Sequence, residues 1–117
     1  MENKYSIILG NLGNTCDRFC KSYKTNPSSE RMLELAAENM PYIGGVELVG
    51  TWDIRPDNAK EMKKRLDGYG LECASIIPDT FGDSDYGKGS VSSTDLAVRR
   101  KALDYLRSMC EVALQGS

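Results

Sequence analysis

Histidine is absent from all 117 residues. With it go the arrangements that need an imidazole at neutral pH: Ser-His-Asp and Cys-His nucleophile pairs, and mixed Cys/His zinc sites. Cysteine is scarce as well. Of the four, only Cys16 and Cys20 lie close, at a C-x3-C spacing, while Cys73 and Cys110 stand far apart, so free thiols are expected rather than zinc ligands or disulfides. Neither sign of charge is in excess: 15 Lys and Arg face 17 Asp and Glu, a net charge of -2. A surface so balanced offers no broad electropositive face to a phosphate backbone, and nucleic acid is not an expected partner. Long hydrophobic runs are missing too. The first, Tyr5 to Leu9, is far below the roughly 18 residues of a membrane span and has no cleavage-site pattern, so no membrane partner and a cytoplasmic location are expected.

Two loop patterns fall short of known fingerprints. "GNLGN" (Gly10 to Asn14) lacks the glycine spacing and terminal lysine of phosphate-binding loops. "DSDYGKG" begins like a calcium loop at Asp83 and Asp85, but Gly87 and Thr94 stand where oxygen ligands belong, so these are expected to be solvated loop charges.

What is present is an ordinary globular balance, 40% hydrophobic and 27% charged, without a linker or composition break, and one domain is expected over residues 1–117. Tyr5 to Leu9 has the profile of a strand buried on both faces. Asn26 before Pro27 reads as an N-cap, and Met32, Leu35, Ala36 and Met40 recur at helical spacing up to about Asn39. A second strand, Gly44 to Gly50, precedes a second helix in which Asn58 and Glu61 fit a capping pair and Met62, Leu66 and Tyr69 form the inner stripe, ending at Gly68 or Gly70. A third strand, Leu71 to Pro78, leads through a polar loop from Asp79 to a helix capped by Ser93 or Thr94, with Val98, Ala102, Leu106, Cys110 and Ala113 in one apolar line. Arg99, Arg100, Asp104, Arg107 and Glu111 face away from that line or lie at its edges. Three strand-then-helix repeats predict an α/β fold of consecutive right-handed βαβ units on a parallel sheet.

The segment Pro78 to Ser117 resembles the third unit of the xylose-isomerase-like sugar and sugar-phosphate isomerases and epimerases, through Phe81, Gly89, Ser92, Asp95, Val98, Arg99, Arg100, Ala102, Leu103, Ala113 and Gly116. "GGVELVGTW" is similar to the family's second strand with its recurrent glutamate, and "LDGYGLECASI" to its helix-to-strand turn. The resemblance implies a partial (β/α)8 TIM barrel, with this chain as its first three units. It also implies a small carbohydrate substrate and a divalent metal (Mn, Mg, Co or Zn) whose ligands lie beyond Ser117, so that the fragment alone is expected to be inactive. Members with xylose isomerase activity carry a histidine just after the second strand, where this chain has Val49, so a broader sugar isomerase or epimerase is the expectation.

Glu47 is the most informative residue, because a charge inside "GVELVG" is costly unless it is paired or lies near an open barrel end. Alternation puts Glu47 and Val49 on one face, Val46 and Leu48 on the other. Glu47 therefore either meets a substrate hydroxyl or metal-bound water in the barrel interior, or pairs with a neighbouring cation. Trp52 and Phe81, just past strands two and three, fit an apolar wall for a sugar's carbon face or a lid on the core, with Asp53 and Asp79 as polar neighbours on the rim. Arg99 and Arg100 suit a solvated face or pairs with Asp95 and Asp104 better than a phosphate site. Two other functions compete: a non-catalytic α/β module that self-associates through its open sheet edges, and an apurinic-endonuclease-like repair protein, disfavoured because such enzymes use histidines at early strand ends.

Overall fold

The computed structural model describes residues 3–13 and 27–116. The expected cap at Asn26 and the pair Cys16 and Cys20 lie outside the described residues. Three strands, β1 (Ser6–Ile8), β2 (Gly45–Val49) and β3 (Glu72–Ile77), form a parallel sheet in the order β1-β2-β3. Helices α1 (Ser29–Asn39), α2 (Ala59–Tyr69) and α3 (Leu96–Gly116) alternate with them, which is the mixed α/β arrangement of consecutive βα units.

One apolar layer joins sheet and helices. Val46 and Leu48, both fully buried, point into it from β2. They meet Met32, Leu33 and Ala36 of α1, Ala59, Met62 and Leu66 of α2, and Met109 and Val112 of α3. All three helices therefore cover the same side of the sheet, and Glu47 sits on the other side between Ile8 and Ser75.

Several sequence expectations shift at the ends of elements. Among the described residues β1 is not buried on both faces: it lies at the edge of the sheet, Ile7 is its one residue packed against the core, and Leu9 has already turned into a 3-10 helix. α1 is capped by Ser28, whose Oγ accepts the Arg31 amide at 3.1 Å. Its inner stripe runs through Leu33 rather than Leu35. Asn58 stands at the N-cap of α2 without accepting a helix amide. Its side chain instead accepts the Arg55 amide (2.6 Å) and donates to the Asp53 carbonyl (3.1 Å), while Glu61 pairs with Arg65. Tyr69 is exposed, and Gly70, at φ 69°, closes the helix in the left-handed conformation that glycine adopts without steric penalty.

α3 begins one or two residues on from the expected caps, at Leu96: Asp95 Oδ1 accepts the Ala97 amide, and the Ser93 hydroxyl accepts that of Asp95. Its buried face is Ala102, Met109, Val112 and Gly116 with Tyr105 beside it, whereas Cys110 and Ala113 are exposed. A row taken at uniform spacing of four drifts around a helix of 3.6 residues per turn; alternating steps of three and four keep to one face. Between β2 and β3 the register slips by one residue after Val46, so that Ala74 is the extra residue of a bulge. Among the described residues no helix is long and apolar enough to cross a membrane.

Candidate functional site

The rim at the C-terminal ends of β2 and β3 is built from short-range hydrogen bonds. After Val49 the chain turns sharply: the Asp53 amide returns to the Val49 carbonyl at 2.9 Å, and the Thr51 amide reaches the Ile54 carbonyl at 2.9 Å. Thr51 is held at φ 70°, a left-handed conformation unusual for a β-branched residue and therefore strained. Gly50 permits the turn to lie against α3, since a Cβ there would come within 2.5 Å of Met109 Sδ and 2.7 Å of the Tyr105 hydroxyl.

Asp53 turns inward. It is 2% exposed, its Oδ2 accepts the Val49 amide (2.9 Å) and its Oδ1 accepts the Ser29 hydroxyl (2.6 Å). The carboxylate thus ties the end of β2 to the first turn of α1, and both of its oxygens are taken by protein donors. The adjacent Trp52 turns outward. Its indole Nε1 donates to Asp79 Oδ2 at 2.8 Å, and its ring meets Phe81 edge to face at a centroid separation of 5.5 Å and an interplanar angle of 66°.

Asp79 is the hinge of the cluster. Its Oδ1 accepts the Gly82 amide at 2.7 Å, and its own amide donates to the Tyr105 hydroxyl at 2.8 Å. A Cβ at residue 82 would stand 2.9 Å from Asp79 Oδ1, so a side chain there displaces the Asp79 carboxylate that accepts the Gly82 amide. Of the five residues singled out in the sequence, the fold therefore gathers Trp52, Asp79 and Phe81, directs Asp53 into the structure beneath them, and leaves Glu47 lower on the open sheet face. Among the described residues Glu47 makes no ion pair.

Beside the cluster lies a groove of about 250 Å³ lined by Thr51, Asp79, Asp83, Tyr86, Lys101 and Tyr105. The acidic loop is solvent-exposed, as expected, and is also strapped to α3: Lys101 Nζ bonds Asp83 Oδ2 at 2.9 Å and Asp85 Oδ2 at 2.6 Å, and lies 5.2 Å from the centroid of the Tyr86 ring. Asp85 and then Asp83 hold the Lys101 ammonium pKa well above the ordinary lysine value. The Asp85 amide, and after it Lys101, pull Asp83 below the usual carboxylate range, while burial raises the Tyr86 phenol. Elsewhere, Arg99 donates to the Ser93 carbonyl, Arg100 is exposed and Asp104 pairs with Arg107, so of the two expected arrangements the pairing with Asp95 or Asp104 is not formed among the described residues.

Lys101, Tyr86, Thr51 and Tyr105 were not legible as site residues. Lys101 lies 16 and 18 positions from its partners, and Tyr105 lies off the line drawn through Val98, Ala102 and Leu106. Among the described residues no three His, Cys, Asp or Glu side chains converge as metal ligands. No protein-family model matches the chain, and no curated protein matches it closely enough to count as a relative.

Proposed function

We propose that the chain forms the opening βα units of a (β/α)8 barrel that acts on a small carbohydrate, in the manner of a sugar isomerase or epimerase. One observation carries this reading: the ends of two adjacent parallel strands place an aromatic pair, Trp52 and Phe81, against a carboxylate, Asp79, at the strand ends where such barrels build their sites. An aromatic face suits the C–H side of a sugar ring or chain, and a carboxylate accepts its hydroxyls. The resemblance of the strand and loop segments to the xylose-isomerase-like family supports the same reading.

The divalent metal that this resemblance implies finds no donor set among the described residues. In this reading its ligands come from other strands, and the residues described here bind and orient the substrate. Glu47, facing the barrel interior, is free to accept a substrate hydroxyl.

Trp52 is the one tryptophan in the sequence, so its fluorescence reports on the rim alone. Titration with free pentoses and ketopentoses is expected to give a saturable change, and Asp79→Ala to weaken it tenfold or more, about 1.4 kcal/mol, by removing the indole's partner and an acceptor. No saturation by about 10 mM, ten times the upper end of ordinary KM values, sinks the proposal.

A second reading has its own support. Among the described residues the outer edges of β1 and β3 pair with no further strand and one face of the sheet carries no helix, which favours self-association of copies.

A further inference from the structure

We infer that the groove beside the aromatic pair selects its ligand by charge, admitting the hydroxyl-bearing chain of an unphosphorylated sugar and turning away the phosphate ester of the same sugar. This inference rests on the carbohydrate reading above and narrows it.

Asp79 belongs to both the aromatic cluster and the groove, so a ligand lying on Trp52 and Phe81 extends naturally past Asp79 toward Thr51 and Tyr105. The volume of about 250 Å³ falls below the roughly 300–1,000 Å³ of pockets that enclose drug-sized molecules. Only a small molecule is accommodated.

The polar inventory matches hydroxyl groups. Each Asp79 oxygen holds one donor, the indole or the Gly82 amide, and keeps lone-pair capacity for another. Tyr105 accepts the Asp79 amide, which leaves its own proton to donate into the groove. Acceptors and a donor side by side suit a group that both gives and takes a hydrogen bond, as each sugar hydroxyl does.

The charge inventory excludes a phosphate. Asp79 and Asp83 line the groove and Asp85 stands behind them, against the single ammonium of Lys101; three negative charges less one positive leave an excess of two negative. That ammonium is already committed to Asp83, Asp85 and the Tyr86 ring, so serving a phosphate means giving up those partners. The nearby α3 N-terminus, a second ordinary anchor for phosphate, is closed by the chain's own Asp95 carboxylate on the Ala97 amide. Arg55, near Thr51, is paired with Asp57.

The test compares D-xylulose with D-xylulose 5-phosphate by Trp52 fluorescence and by calorimetry at about 0.15 M salt, where screening acts over about 8 Å. The free ketopentose is expected to bind at least tenfold tighter than its phosphate. Equal or tighter binding of the phosphate overturns the inference and leaves the carbohydrate reading standing; binding of neither overturns both. Asp85→Lys, at an exposed position outside the groove lining, reverses one of the opposing charges and supplies a free ammonium. It is expected to shrink the preference by tenfold or more, and an unchanged ratio rejects charge as the selecting property.

Discussion

The Asp53 carboxylate takes the Val49 amide and the Ser29 hydroxyl at 2% exposure, so its worth is set by what its loss leaves unpaired. Asp53→Asn keeps the size but turns one acceptor into a donor, facing an amide or hydroxyl with the wrong group. Urea unfolding is expected to show a loss of about 1–3 kcal/mol, the cost of an unsatisfied buried polar group. Asp79→Asn, on the half-exposed rim, is expected to cost less than about 1 kcal/mol of stability, because water can replace a lost partner there. Equal losses at both positions contradict the division between an inward structural carboxylate and an outward one. Glycines separate in the same way. A Cβ at Gly45 would lie 2.7 Å from the Glu72 backbone oxygen, whereas at Gly10 it would meet nothing within 4 Å. Gly45→Ala is therefore expected to cost about 1–3 kcal/mol and Gly10→Ala well under 1, read from the midpoints of denaturation at unchanged slope.

Among the elements, the loop between β3 and α3 depends on two straps, the Asp79 amide on Tyr105 and Lys101 on the aspartates. Its response to pH follows from the displaced ionisations. Asp83 is lowered in the folded state, so its contribution is fully present above the unfolded value of about 3.9 and is lost as pH falls through its lower folded value. Lys101 is raised, so its contribution is present below the unfolded value of about 10.4 and disappears only as pH rises through a higher one. Across the neutral range the strap is insensitive to pH, and it releases below about pH 4. Lys101→Met is expected to flatten the acid limb of a stability-against-pH curve without changing its neutral slope; an acid limb identical to the parent's means the strap contributes nothing.

This strap also shows what the sequence could and could not disclose. The strand and helix repeats were readable because apolar periodicity and glycine punctuation are local. So was the rim position of Trp52, Asp79 and Phe81, since each follows a strand directly. Lys101 meeting Asp83 and Asp85, and Tyr105 meeting Asp79, depend on the angle at which α3 crosses the sheet, and the stripe drawn through Leu106 and Cys110 had that helix turned by part of a turn. Asp53 looked like its neighbours on the rim because a local pattern cannot tell an inward from an outward carboxylate in a turn where Thr51 takes a left-handed backbone.

At the scale of the whole molecule, the two faces of the sheet differ. Helices α1, α2 and α3 bury Val46 and Leu48 on one side, while Ile8, Glu47, Ser75 and Ile77 occupy the other, and among the described residues both outer strands have an unpaired edge. If copies cover this face for one another, Glu47 is the residue that opposes them, because each carboxylate brought into the contact loses water. Sedimentation is then expected to give a mass that rises with concentration, and Glu47→Leu to tighten the association tenfold or more, the equivalent of about 1.4 kcal/mol. The sugar reading makes the opposite demand on the same residue, for which Glu47→Leu weakens ligand binding and leaves the mass alone. Measuring mass and Trp52 titration on the parent and on Glu47→Leu therefore separates the two. A monomer at every concentration for both proteins removes self-association, and an unaltered sugar affinity in the variant removes Glu47 from the substrate's surroundings.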